Sequence, residues 1–286
     1  MSARLASAPV TWGVWERTVD LPDLIPPDRM LETVSGLGYT GIELGPPGYF
    51  DAGAFEAHGL QLVGGFAPLH LADEGLFRAD VVAWLDPVID VLLATGVSGP
   101  VVLADAETPE RLAAPTPLPG DEFARALDRV NVAVGRCRER GVPVVFHHHA
   151  ATYVETPDEI ERLLAGTDVG ICFDTGHAVV GGATAVEVAR MCGGRIEHLH
   201  LKDVDGELLE RVRRGELNLE QAWNGGLFCP FGEGVVDFRS VLALPELAGF
   251  SGWMVLEQDR VAVGVGDLDR VRAVEERNLA VVREAL

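Results

Sequence analysis

The sequence predicts an α/β protein with the (β/α)8 architecture of a TIM barrel, in one domain that spans residues 1–286. Its length of 286 residues is typical of one such barrel. Short apolar runs alternate with segments of helical periodicity along the whole chain. Four consecutive apolar runs end in His, Asp or Glu, as expected where strand ends surround one mouth. A doubly wound open sheet is the weaker alternative, because no G-x-G-x-x-G motif follows an early strand.

The first half of the chain predicts four strand-helix units. The strands are expected at 8–12, 40–44, 60–66 and 100–104, and the helices at 27–37, 51–58, 79–95 and 121–140. A proline-rich stretch at 114–119 separates the fourth strand from its helix. It does not mark a domain boundary, because strands and helices continue to alternate across it and such loops vary freely in barrels.

The second half predicts four more units, whose strands carry the polar residues of interest. These strands end at His149, Asp174, His200 and Glu257. The helix after the first of them begins with Thr156 as N-cap, Pro157 at the first helical position and Glu159 completing a capping box. Later helices are expected at 184–191, near 237 and at 267–285.

The long connection at residues 203–234 follows the strand that ends at His200. It combines a polar helical piece with aromatic residues set among glycines between 223 and 234. Long connections with structure of their own often act as lids, so we predict a lid-like insertion that packs over the barrel mouth. The alternative is a surface loop whose aromatic residues have no special role.

Composition indicates the expected compartment and the class of partner. No apolar run approaches the roughly 20 residues of a membrane-spanning helix, and residues 1–7 lack the apolar core of a signal peptide. The formal net charge of −21 disfavours binding to nucleic acid or to an anionic membrane. We therefore expect a cytoplasmic protein that acts on a small molecule. The sequence leaves open whether copies of the chain form a homo-oligomer.

The polar residues at the four strand ends include candidate metal ligands, namely His147, Asp174, His200 and Glu257. Each alone has an ordinary structural explanation, such as a capping carboxylate or a satisfied core histidine. Together they would bury several polar groups close to one another, which is unfavourable unless a cation or a substrate satisfies them. The four cysteines show no metal-binding spacing. A mixed imidazole and carboxylate shell predicts one catalytic divalent transition metal, with manganese or cobalt expected first and zinc or iron as alternatives.

Other polar or aromatic residues near strand ends are candidates for contact with the substrate. Alternate residues of a strand share a face, so His149 points the same way as His147. Five residues are expected to contact a polyol: Trp12, Trp15 and Glu16 beyond the first strand, Glu43 near the end of the second and His198 on the seventh. For Trp12, the alternative is a place in the hydrophobic core.

Seven short motifs carry a resemblance that covers nearly the whole chain. They are ELGP at 43–46, FHHH at 146–149, VET at 154–156, DTGH at 174–177, HLHLKD at 198–203, GEGVVDF at 232–238 and EQD at 257–259. Together they resemble the xylose isomerase-like barrels, a family that includes sugar 3-epimerases, dehydroshikimate dehydratase, endonuclease IV and inosose (2-keto-myo-inositol) dehydratase. The run of three histidines is most similar to the inosose dehydratase branch.

By this resemblance, the metal shell contains an Asp, a His and a Glu after the sixth, seventh and eighth strands, which are Asp174, His200 and Glu257. The wider family has a glutamate after the fifth strand, where this chain has His147. Either His147 binds the metal or a water fills that place. The missing glutamate also disfavours epimerisation, because the family's epimerases resemble two-glutamate acid and base enzymes.

The reaction that the resemblance implies is metal-assisted elimination of water from a cyclic keto-polyol through an enolate. His149 and His177 are then the proton carriers, and Lys202 is the partner of the enolate or of the leaving group. A sugar isomerase or epimerase on the same metal site is the main alternative. An endonuclease IV-like nuclease is disfavoured by the negative charge, and a non-catalytic metal-binding or sugar-binding barrel is the third alternative.

Overall fold

Parallel pairing joins nine strands into one curved sheet in the computed structural model, which describes residues 4–97, 99–260 and 263–286. These ranges contain eleven strands: β1 (Arg4–Ser7), β2 (Gly41–Ile42), β3 (Gln61–Leu62), β4 (Gly65–Leu69), β5 (Val101–Asp105), β6 (Val144–His147), β7 (Gly170–Asp174), β8 (Ile196–Leu201), β9 (Asp203–Val204), β10 (Phe228–Cys229) and β11 (Trp253–Leu256). The large sheet has the order β3-β2-β1-β11-β8-β7-β6-β5-β4, and β9 pairs with β10 separately.

The large sheet closes through β3 and β4, because the strands at its two ends are consecutive in the chain. Only Val63 and Gly64 separate them. The N–H of Val63 donates to the carbonyl of Ile42, and the N–H of Gly65 donates to the carbonyl of Pro100. One bent segment therefore pairs with β2 on one side and with β5 on the other, and it forms the third of eight barrel strands. The predicted (β/α)8 barrel is confirmed.

Helices connect the barrel strands. The α-helices within the described ranges are α1 (Pro27–Gly36), α2 (Ala54–Ala57), α3 (Glu74–Asp80), α4 (Asp86–Ala94), α5 (Pro109–Ala113), α6 (Gly120–Glu139), α7 (Pro157–Gly166), α8 (Thr175–Val180), α9 (Ala185–Cys192), α10 (Gly206–Arg213), α11 (Leu219–Asn224), α12 (Phe238–Leu242) and α13 (Leu268–Ala285). The capping box predicted for α7 is present, and the N–H of Thr156 donates to Oε2 of Glu159 (2.9 Å). None of the helices in these ranges is both long and apolar enough to span a membrane.

The predicted position of the first strand, at 8–12, is wrong. The strand is β1, which pairs in parallel with β11 on one side and β2 on the other. Residues Pro9–Trp12 form a short 3-10 turn that ends at Gly13 with a φ of +76°. Pro9 has no N–H to contribute to a strand ladder, so the chain turns there.

Residues 1–3 of the N-terminal segment assessed for a signal peptide lie outside the described residues.

Side chains inside the barrel form an apolar layer below a polar one. Val102, Val145 and Cys172 make a small cluster separate from the main core, whereas their neighbours in the sequence pack in the main core with residues of the helices. Because alternate strand residues point to the same side, the next inward positions after Val145 and Cys172 are His147 and Asp174. The polar layer therefore lies at the C-terminal ends of the strands, where the mouth of such a barrel is.

Candidate active site

The inward-facing polar residues border a cavity of about 280 Å³ at the barrel mouth. Its lining includes Trp15, Glu16, Arg17, Glu43, Phe66, His70, Asp105, Glu107, His147, His149, His200, Lys202, Trp223, Glu257 and Asp259. Asp174 and His177 are fully buried and do not line it. A volume of this size is close to the lower limit for ligand pockets and suits one small molecule.

Three of the predicted metal ligands converge. Donor atoms of Asp174, His200 and Glu257 all lie within 4.8 Å of one another. Nδ1 of His200 is 3.0 Å from Oε2 of Glu257 and 3.9 Å from Oδ2 of Asp174. That nitrogen is buried and makes no hydrogen bond to the described residues. Nδ1 of His200 therefore lies beside two carboxylate oxygens and makes no hydrogen bond within the described part of the chain. A divalent cation placed among these three atoms would be bound by one imidazole and two carboxylates.

His147 lies beside this group. Its ring centroid is 4.8 Å from that of His200, and its donor atom lies within 4.8 Å of those of Cys172 and His200. Nδ1 of His147 is buried and makes no hydrogen bond to the described residues. Burial and the neighbouring His200 lower the pKa of His147 well below its usual value. The imidazole is therefore neutral, which is the form that can bind a metal.

Lys202 is the only lysine in the sequence, and it is buried among three carboxylates. Its ammonium group donates to Oδ2 of Asp174 (2.8 Å) and to Oε2 of Glu257, and lies 3.5 Å from Oδ1 of Asp259. Burial lowers the pKa of Lys202, but Asp174, Asp259 and Glu257 outweigh burial and hold that pKa well above its usual value. The charged ammonium therefore shares two carboxylate partners with the candidate metal site.

Glu43 fixes the orientation of two imidazoles on β8. Its Oε1 accepts hydrogen bonds from Nε2 of His198 (2.8 Å) and from Nε2 of His200 (3.0 Å). Burial raises the pKa of Glu43, but His200 and His198 outweigh burial and hold the pKa below its usual value. Because Nε2 of His200 donates to Glu43, its Nδ1 is left for the carboxylates of the candidate metal site. Glu43 also lines the cavity, whereas His198 does not.

The backbone of Ala150 gives His149 and His177 opposite patterns of protonation. Nδ1 of His149 is 2.8 Å from the Ala150 carbonyl, which only accepts, so Nδ1 carries the proton and Nε2 has a free lone pair. The Ala150 N–H donates to Nδ1 of His177 (3.2 Å), so Nε2 of His177 carries the proton. Burial lowers the pKa of both rings, that of His149 to about 3. The ring centroids are 3.8 Å apart, and of these two neutral rings His149 can accept a proton at Nε2, whereas His177 can donate a hydrogen bond from Nε2.

A buried ion cluster supports the turn that carries this peptide group. Arg111 donates to both carboxylate oxygens of Glu159 (2.9 Å each) and to Oε2 of Glu155 (3.0 Å). The same Glu155 oxygen accepts the N–H of Ala151 (3.2 Å), whose φ of +63° lies in the left-handed region. The cluster thus holds the residue next to Ala150. Sequence reasoning missed Arg111, because its partners lie 44 and 48 residues away and follow no periodic spacing.

Trp12 lies away from the cavity. Its side chain is fully buried, its indole N–H donates to Oγ of Ser7 (3.0 Å), and it does not line the mouth. The cavity is lined by Trp15 and Glu16, the other two candidates from the same loop. The turn at Pro9–Trp12 separates the two tryptophans, so the error about the first strand misplaced Trp12 alone.

Asp259 is a cavity residue to which sequence reasoning gave no role. Its Oδ2 is 3.7 Å from Nε2 of His177, and its other oxygen faces Lys202. Asp259 lies two positions after Glu257, so the alternation that pairs His147 with His149 also places Asp259 and Glu257 on one side. The spacing of two residues between Glu257 and Asp259 could therefore have indicated Asp259. However, β11 ends at Leu256, and strand alternation is not a reliable guide beyond the end of a strand.

The segment 203–234 was predicted to be a lid-like insertion. Its first residue, Asp203, hydrogen-bonds to the backbone at the C-terminal end of the segment. Asp203 accepts hydrogen bonds from the N–H groups of Gly232 (2.8 Å), Gly234 (3.0 Å) and Val236 (3.0 Å). A Cβ at Gly234 would lie 2.2 Å from Oδ1 of Asp203, so this close approach requires glycine. Between these ends, α11 brings Trp223 to the cavity.

Replacing Asp203 with Ala is expected to lower the free energy of unfolding by about 3 kcal/mol, because backbone donors lose a buried charged acceptor. Urea unfolding followed by circular dichroism measures the change. The matched control is Asp237→Ala, which removes the exposed N-cap of α12 and should cost about 1 kcal/mol. Equal losses in the two variants would contradict the role given to Asp203.

A family model described as the xylose isomerase-like TIM barrel matches residues 31–279. The chain belongs to this family. The matched residues include Glu43 and all four candidate ligands, so the site lies inside the shared barrel. The resemblance drawn from the sequence motifs is confirmed.

Two curated relatives of this xylose isomerase-like barrel are similar to it over most of their length. The rhizopine catabolism protein MocC of Rhizobium meliloti is 32% identical over 277 residues, which cover 91% of this chain and 82% of that protein. The inosose dehydratase of Geobacillus kaustophilus (strain HTA426) is 30% identical over 271 residues, which cover 90% of this chain and 87% of that protein.

Solved structures share the barrel at low sequence identity. The probable 3-DHS dehydratase AsbF from Bacillus anthracis has a TM-score of 0.71 and 16% identity, covering 97% of this chain and 98% of that chain. The IolI protein with a bound zinc atom has a TM-score of 0.71 and 14% identity, covering 99% of each chain. An L-ribulose 3-epimerase has a TM-score of 0.71 and 15% identity, covering 99% of this chain and 94% of that chain. At these identities the likeness concerns the fold alone.

Proposed function

We propose that this xylose isomerase-like barrel is a dehydratase that eliminates water from a cyclic keto-polyol such as 2-keto-myo-inositol. The observation that carries the proposal is the opposite protonation of His149 and His177 at their Nε2 atoms. Elimination of water needs one group that removes a proton and another that protonates the departing hydroxyl. The free Nε2 of His149 can remove the proton, and the neighbouring ring of His177, tilted by 41° with its centroid 3.8 Å away, presents its Nε2–H towards the carboxyl group of Asp259, which can protonate the hydroxyl.

His149 acts as the base in this proposal. It lines the cavity, and the free lone pair on its Nε2 takes the proton from the carbon next to the ketone. Asp259 supplies the proton that the leaving β-hydroxyl needs, because it lines the cavity and burial raises the pKa of its carboxyl group to about 8. As the proton moves to the hydroxyl, water departs, and the Nε2–H of His177 stabilises the carboxylate that remains, since Nε2 lies 3.7 Å from Oδ2 of Asp259. The ammonium of Lys202 stabilises the negative charge that develops on the ketone oxygen.

Asp174, His200 and Glu257 would hold the metal, with His147 as a fourth ligand. When bound there, a divalent metal supplies Lewis-acid polarisation of the ketone. Glu43 keeps Nδ1 of His200 directed at the carboxylates. The donor set of imidazole and carboxylate without thiolate suits manganese, cobalt, zinc or iron.

The substrate class has three lines of support. The relative from Geobacillus kaustophilus is named an inosose dehydratase. The cavity of about 280 Å³ suits a single polyol ring. The net charge of −21, and a lining richer in carboxylates than in cations, favour a neutral polyol over a phosphorylated sugar.

The test is incubation of the metal-loaded protein with 2-keto-myo-inositol in D2O. We expect a product that has lost one water per molecule, detected by mass spectrometry. Deuterium uptake or inversion without loss of water would instead indicate an isomerase or epimerase on the same site. Metal analysis of the same preparation is expected to give about one transition metal ion per chain, lost in His200→Ala. Full metal retention by that variant would contradict the assigned ligands.

A further inference from the structure

A second cavity of about 220 Å³ lies beside the first at the barrel mouth. Residues that line this outer cavity but not the inner one include Thr18, Leu112, Glu220 and Asn224. They come from the loop after β1, from α5 and from α11. The proposed reaction uses none of them, so the outer cavity has no role in the chemistry described so far.

The two cavities share a wall of four side chains. Trp15, Arg17, Glu107 and Trp223 line both. The rings of Trp15 and Trp223 are parallel to within 1°, with centroids 6.5 Å apart. The guanidinium of Arg17 pairs with Glu107 and lies 5.3 Å from the ring centroid of Trp15. Among the described residues that line both cavities, the wall consists of side chains from three separate elements, so a molecule that reaches from the inner cavity into the outer one would require those side chains to turn aside.

The outer cavity has the chemistry of a sugar site. Its two indole rings offer flat apolar surfaces for the C–H faces of a pyranose, as in other pockets that combine aromatic walls with a few polar groups. Glu107, Glu220 and Asn224 offer hydrogen-bonding groups for hydroxyls. Two carboxylates beside a single arginine disfavour a phosphate or a carboxylate ligand.

We propose that the outer cavity is a subsite for a sugar ring joined through oxygen to the keto-polyol, so that the substrate is a glycosylated cyclic ketone. The inner cavity then holds the ring that loses water, and the outer cavity holds the sugar. This inference rests on the proposed dehydratase function and specifies its substrate.

The experiment fills the outer cavity from two sides, with Leu112→Trp on α5 and Asn224→Trp on α11. Turnover of 2-keto-myo-inositol is compared with turnover of the same compound carrying an O-linked glucosyl group. We expect the wild type to prefer the glucosylated compound by kcat/KM, and each variant to lower that preference about 10-fold or more, the effect of blocking one well-defined pocket. The matched control is Glu110→Trp, an exposed residue of α5 that lines neither cavity.

Calorimetric titration with both compounds separates this inference from the proposed reaction, because binding needs no turnover. Tighter binding of the glucosylated compound by the wild type, lost in both filling variants, supports the subsite even if neither compound is dehydrated. In that case only the reaction is refuted. Dehydration of the unsubstituted compound, with no preference for the glucosylated one in rate or binding, overturns the subsite and leaves the dehydratase intact.

Discussion

Replacing His149 with Gln is expected to lower kcat for dehydration by about 10²- to 10⁴-fold, the usual contribution of a positioned base. The same variant should no longer exchange the proton next to the ketone with solvent deuterium. His177→Gln should slow dehydration by a similar factor but keep that exchange, because the base is intact and only protonation of the leaving group is impaired. Proton NMR of the substrate in D2O measures exchange and dehydration together.

The matched control is His58→Gln. His58 also bonds a backbone carbonyl through Nδ1, at 2.9 Å from Ala54, but it lies at the end of α2 and outside the cavity. Its replacement should leave both rates within about twofold, as for surface substitutions in general. Loss of exchange in His177→Gln with exchange kept in His149→Gln would reverse the two roles.

The convergence of three candidate ligands was predictable because strand geometry is simple. Side chains alternate along a strand, and parallel strands in a barrel end at one mouth, so Asp174, His200 and Glu257 had to face one another once their strands were recognised. The structure brings their donor atoms within 4.8 Å. No knowledge of loop conformation was needed for this part of the site.

The protonation of the two histidines could not be predicted in the same way. It depends on the N–H and the carbonyl of Ala150, and therefore on a turn whose next residue, Ala151, has a φ of +63°. Alanine rarely adopts this conformation, so the sequence gives no sign of it. The contacts of Arg111 that hold the turn form only after residues 44 and 48 positions apart are brought together by the fold.

Replacing Lys202 with Met is expected to change stability and metal binding in opposite directions. Without metal, the variant leaves Asp174, Glu257 and Asp259 buried without their cation, so the free energy of unfolding should fall by about 3–5 kcal/mol. With metal, the variant should gain more stability than the wild type. The ammonium group of Lys202 hydrogen-bonds to oxygens of Asp174 and Glu257 that would bind the metal, and its positive charge repels the metal ion. Removing the ammonium group should therefore tighten the binding of manganese.

Urea unfolding of both proteins, with and without manganese, measures these changes, and calorimetric titration gives the metal affinity directly. The matched control is Arg270→Met, which removes an exposed cation paired with Asp267 and should change stability by less than about 1 kcal/mol. Because Lys202 is the only lysine in the sequence, labelling with ¹⁵N-lysine gives a single Nζ signal. A shift of that signal on addition of zinc shows that the zinc ion binds next to the ammonium group of Lys202. An unchanged signal, together with equal metal affinity in variant and wild type, would show that Lys202 and the metal do not share Asp174 and Glu257.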